Sequence, residues 1–123
     1  MVIVDTSVWV DGLRGKNRAS LTALLEEDGA LVHPYVEAEL RMGSLPGKRH
    51  EFLDSLAALP KAHAVDLEEL FWFTEQRKLY GTGLSFVDAA ILASAAAQQH
   101  QIWTAEKRLN EWAHKIGLNY LPG

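Results

Sequence analysis

Val2-Ile3-Val4-Asp5-Thr6-Ser7-Val8-Trp9 is the stretch on which the reading of this chain turns. Three apolar β-branched residues run directly into an acid and two hydroxyls, and a helical pattern starts at once. A short, fully apolar run of this kind fits a strand buried on both faces of a parallel sheet. In an open α/β sheet, ligands bind outside the carboxyl ends of the strands. Asp5 stands at such an end, next to Thr6 and Ser7, where side chains are placed for chemistry rather than for packing. The same three residue types also favour the N-cap of a following helix. On this stretch alone both readings stay open.

Working outward, strand-like and helix-like runs alternate. Helical spacing is read over residues 8–13, 20–27, 35–43, 48–59, 66–80, 85–99 and 106–116. Strands are read over 2–4, 30–32 and 101–104, with a minor strand over 62–65 and a last one over 118–120. Punctuation supports these limits: Pro34 stops the second strand, Gly43 and Pro60 end helices, and Gly81-Thr82-Gly83 separates two more. Asp66 with Glu69, and Ser85 with Asp88, have capping-box spacing. The alternation predicts an α/β fold with a central parallel sheet flanked by helices. The 85–99 helix is rich in alanine and apolar nearly all round, so it should be buried between neighbours. The 66–80 helix carries Leu67, Leu70, Phe71, Trp72, Phe73, Leu79 and Tyr80 on more than one face. Either another helix covers the surplus or a subunit or partner does. The four tryptophans are assigned to the core.

The chain has 123 residues, enough for one domain over 1–123 with a substantial core. It has no cysteine, which removes disulfides, thiolate zinc sites and cysteine nucleophiles. Met1 leads straight into a strand without a basic leader, and no apolar run approaches the ~20 residues of a membrane span. The expectation is a cytoplasmic protein with no membrane contact. A net charge of −4 is not the footprint of a passive nucleic-acid binder. An RNA partner would need local basic patches, for which residues 14–18, Lys48-Arg49 and Lys107-Arg108 are candidates. The five histidines have no metal-ligand spacing and read as surface or structural.

Four acids stand out by position: Asp5, Glu39, Asp88 and Glu106. On the helical wheel Glu39 falls beside the face of Val36, Leu40 and Gly43, and so reads as turned inward. Glu37 points elsewhere, four residues before Arg41, as in a surface ion pair. Asp88 fits a capping box and Glu106 a first turn behind Thr104, so capping alone explains each taken singly. Together they suggest a carboxylate cluster, which resists joint ionisation unless a cation neutralises it. Oxygen-only ligands suit Mg²⁺ or Mn²⁺. Such ions activate water and stabilise the leaving oxygen of a phosphodiester, which is nuclease chemistry.

The chain resembles the PIN-domain ribonucleases, in particular the toxins of VapBC-type toxin–antitoxin pairs. The resemblance lies in residues 2–9, in Glu39-Leu40-Arg41-Met42-Gly43, in residues 86–93 and in residues 103–109, in the family's order. It implies a three-layer α/β/α fold with a central parallel sheet. It implies Mg²⁺ or Mn²⁺ held mainly by Asp5 and Asp88, with Glu39 and Glu106 completing the catalytic set. Thr6, Ser7 and Thr104 become candidates for positioning water or substrate. It further implies an endoribonuclease acting on RNA, a cognate antitoxin whose tail covers the groove, and a homodimer. One departure is that the family's fourth acid is usually Asp, whereas Glu106 reaches about 1.5 Å further. That bears on the number of metal ions more than on the fold. A catalytically silent RNA- or protein-binding module is the alternative, resting on Glu106 alone. A receiver-like phosphoacceptor is disfavoured because no acid other than the capping Asp66 ends a middle strand.

Overall fold

The computed structural model describes residues 1–122. β1 (Val2–Val4) forms the centre of a three-stranded sheet. It is followed by α1 (Thr6–Leu13), α2 (Arg18–Glu26), β2 (Ala30–Leu31), α3 (Pro34–Met42) and α4 (Arg49–Ala57). Then come α5 (Leu67–Arg77), α6 (Phe86–Gln98), β3 (Gln101–Trp103) and α7 (Lys107–Lys115). The strand order is β2-β1-β3 and both pairings are parallel. Ile3 lies opposite Leu31 on one side and Ile102 on the other. With helices interleaved between parallel strands, the chain forms the three-layer α/β/α arrangement.

Two expected strands shrink to single bridges. The segment 62–65 is not a strand; one parallel bridge joins Val32 to Lys61. Pro60 has no N–H to give, and the backbone of His63 is bound by the side chain of Gln98 instead of by a neighbouring strand. At the other edge, the run 118–120 reduces to one bridge between Ile102 and Asn119. The 66–80 helix stops at Arg77, because Lys78 turns left-handed (φ 54°) and the N–H of Leu79 closes back on the carbonyl of Thr74.

The core is densest around β1 and α6. Ile3, Val4, Ile91 and Ile102 are completely buried, each worth about 1.5–3 kcal/mol relative to exposure. In α6 the residues Ala90 to Ala95 are all buried: Ile91 and Leu92 fill the core, and the small side chains of Ala90, Ala93, Ser94 and Ala95 let neighbouring elements pack closely against the helix. Trp9 and Trp103 join this core, and the indole Nε1 of Trp9 donates to the carbonyl of Val4 at 3.0 Å. Trp112 is half-buried. Trp72 departs from the expectation: it is 63% exposed, with Leu67, Phe71 and Tyr80 also at the surface. Only Leu70 and Phe73, three residues apart, turn α5 onto the core. No element among the described residues covers the remaining apolar side chains.

Candidate active site

At the carboxyl end of β1 the chain turns into α1, and Asp5 occupies the junction. Its backbone N–H donates to the carbonyl of Trp103 (2.9 Å), which continues the sheet by one residue. Its own carbonyl accepts from the N–H of Val8 at 3.0 Å, as an N-cap residue's does. Its side chain makes no capping bond. The carboxylate is instead nearly buried (3% exposed), and Oδ2 accepts from Thr104 Oγ1 at 2.7 Å and Ser7 Oγ at 2.8 Å. Those hydroxyls are held in turn: Thr104 Oγ1 accepts from the N–H of Glu106 (3.0 Å), and Ser7 Oγ from the N–H of Ala105 (3.0 Å). The turn after β3 thereby fixes the acid at the end of β1. Burial pushes the Asp5 carboxyl above its usual range; the bonds from Thr104, Ser7 and the backbone of Thr6 oppose this, while the charge of Asp88 adds to it.

Asp88 enters from the first turn of α6. Its N–H donates to Ser85 Oγ (3.1 Å) and its Oδ2 accepts from the N–H of Ser85 (3.2 Å), completing the capping box. The box uses one carboxylate oxygen, so capping the helix and facing the cleft are compatible. Glu39 projects from α3, and its Oε1 accepts from Thr6 Oγ1 at 2.6 Å. It is exposed at the cleft rather than turned into apolar neighbours as its wheel position suggested. Glu37 is the less exposed of the two and is held by Arg41 at 2.8 Å and Lys61 at 3.6 Å. Glu106 occupies the N-cap position of α7 without a side-chain cap. Its carboxyl is pushed up by partial desolvation and then by the charges of Asp5, Asp88 and Glu39.

These acids line one open cleft of about 600 Å³, together with Thr6, Ser7 and Ser85. Thr104 does not line it; buried behind Asp5, it positions that carboxylate. Two charged lining residues, Asp11 and Arg14, lie outside the acids and hydroxyls read from the sequence as the site, although Arg14 belongs to the basic patch 14–18. Their spacing from Ser7, four and seven residues along α1, was the available signal. Among the described residues, none of Asp5, Glu39, Asp88 and Glu106 is in an ion pair; the pairs found involve Glu37 and Glu51.

The spacing of these oxygen donors decides which mode of cation binding they fit. Among the described residues, no three His, Asp or Glu side chains stand close enough together to cage a metal ion. Mg²⁺ ordinarily takes one or two carboxylates and keeps most of its water. An all-oxygen cleft with mutually repelling, unneutralised carboxylates fits that mode, and does not fit a closed structural site.

Comparison with known proteins agrees with this architecture. The PIN domain family model matches residues 2–115. Two curated relatives, both named Ribonuclease VapC32, come from Mycobacterium tuberculosis strains CDC 1551 / Oshkosh and ATCC 25618 / H37Rv. Each is 42% identical over 119 residues, covering 96% of this chain and 94% of the relative. With the family model spanning nearly the whole chain and these relatives covered almost end to end, the chain belongs to the PIN domain family.

Proposed function

We propose that this protein is a metal-dependent endoribonuclease and the toxin of a type II toxin–antitoxin pair. The observation that carries the reading is the gathering of Asp5, Glu39, Asp88 and Glu106 in one cleft with no cationic partner among the described residues. Both relatives are named as a ribonuclease, which supports it.

Asp5 and Asp88 would hold the ion, Mg²⁺ or Mn²⁺. When bound, it supplies Lewis-acid stabilisation of the phosphodiester oxygens and lowers the pKa of water. The protein's own groups do the rest. Thr104 and Ser7 hold Asp5 by its Oδ2. The Ser85–Asp88 capping box fixes the α6 acid against rotation. Glu39, whose Oε1 accepts from Thr6 Oγ1, would align attacking water. Glu106, with its carboxyl held above the usual range, is suited to keep or pass a proton at the fourth position.

The partners belonging to this reading are an RNA substrate, a cognate antitoxin and a second copy of the chain. The exposed Leu67, Phe71 and Trp72 of α5 support a protein interface. No helix among the described residues is long and apolar enough to cross a membrane. The proposed place of action is the cytoplasm, on cellular RNA.

The test is cleavage of RNA by the purified protein, with EDTA and then with Mg²⁺ or Mn²⁺ restored. Cleavage that stops with EDTA and returns with either ion supports the reading. Metal and RNA binding without turnover would replace it with a silent binding module.

A further inference from the structure

An acidic cleft on a chain of net charge −4 has to admit a polyanion. A metal ion meets the scissile phosphate, and the neighbouring phosphates still need cations from the protein. The six arginines differ in what occupies their guanidinium groups. Arg18 donates to the carbonyl of Gly12, Arg49 to that of Arg41, and Arg41 is paired with Glu37. Arg77 lies over the ring of Phe73. Among the described residues, the guanidinium groups of Arg14 and Arg108 have no hydrogen-bond, ion-pair or aromatic partner; Arg14 lines the cleft and Arg108 borders it behind Gly83.

Arg14, at the C-cap of α1, is the basic residue lining the cleft. Arg108, in the first turn of α7, lies against Gly83, itself part of the cleft wall. Gly83 is left-handed (φ +84°), and a Cβ there would collide with Arg108 Nη1 and stand 3.1 Å from its Cζ. The glycine therefore leaves the room in which the guanidinium rests. Arginine's planar fork matches phosphate oxygens, and a guanidinium without internal partners loses none on binding.

We infer that Arg14 and Arg108 are substrate-binding residues that grip backbone phosphates of RNA flanking the one cleaved. This rests on the nuclease reading above and specifies how its substrate is held. Because phosphates carry no base identity, the contribution should be uniform across RNA sequences.

The experiment uses a short fluorescein-labelled single-stranded RNA. Binding is measured by anisotropy on an Asp5→Asn background, and KM and kcat on the otherwise native chain. Arg14→Ala and Arg108→Ala should each raise KM several-fold with kcat little changed. Each should reduce the salt slope of binding by about 0.7, so that wild type loses about 2.6-fold more affinity than the variant over a fourfold rise in salt. Arg108→Lys should restore the slope and only part of the affinity. Lys78→Ala, a lysine outside the cleft, is the control for charge removal as such. If the arginine variants keep wild-type KM and slope, or Lys78→Ala shifts both as far, this inference is overturned while the nuclease reading stands. If the native chain neither binds nor cuts RNA, both fall.

Discussion

His33 links the two helices that carry Glu39 and Asp88, and its titration makes a quantitative prediction. It is completely buried at the end of β2. Its Nδ1 accepts from the N–H of Tyr35 (3.0 Å), capping α3, and its Nε2 pairs with Ser94 Oγ of α6 (3.0 Å). The cap requires Nδ1 to be unprotonated, so the ring proton is assigned to Nε2. Burial lowers the His33 pKa from 6.5 to about 4. Below 6.5 the unfolded chain therefore takes up a proton that the folded chain refuses. The stability tied to this ring is fully present above 6.5 and is lost as pH falls toward 4, to a total of roughly 3 kcal/mol. Between about pH 7 and about pH 5 the loss is about 2 kcal/mol. Asp5 and Glu106, with carboxyls held high, act with the opposite sign, their cost entering as pH rises through the carboxylate range. Comparison with His33→Asn, which keeps an acceptor at the cap and does not titrate, isolates the histidine. Urea unfolding across this window should show a slope in wild type that is flatter in the variant by that amount. Equal slopes, or an NMR titration placing His33 near 6.5, would refute the reasoning.

Three further outcomes follow from the same geometry. Thr104→Val removes a donor from a buried carboxylate and leaves the N–H of Glu106 without its acceptor; a loss of about 1.5–3 kcal/mol in denaturant unfolding is expected, with reduced cleavage. Ser85→Ala removes half of the α6 capping box and should cost about 1 kcal/mol by the same assay. Trp72→Glu places a charge on the exposed face of α5; if that face joins two copies, sedimentation should show the variant shifted to monomer, and its melting temperature should fall below wild type only at protein concentrations where the wild type is dimeric.

Much of this was legible because the signals were local. Val2-Ile3-Val4 reads as a buried strand from three residues, the Ser85–Asp88 box from four, and the Glu37–Arg41 pair from helical spacing. What escaped depends on distant partners. The role of Thr104 as the support of Asp5 joins positions 99 residues apart, and His33 meets Ser94 across 61. The segment 62–65 looked like a strand because nothing in it shows that Gln98 will take its backbone bonds. Trp72 looked like core because hydrophobicity alone does not say which face of α5 meets α6. Glu39 was placed on the right side of its helix, but its exposure depends on the cleft that other segments create.

The acids gathered beyond the carboxyl end of β1 are proposed to form a metal-dependent nuclease centre, and Asp5→Asn tests this most directly. Asparagine can accept from both Ser7 and Thr104 while removing a buried negative charge, so the fold should persist with equal or higher thermal stability. RNA cleavage in Mg²⁺ or Mn²⁺ should fall to the level seen with EDTA. Wild-type cleavage by a well-folded Asp5→Asn protein would contradict the account.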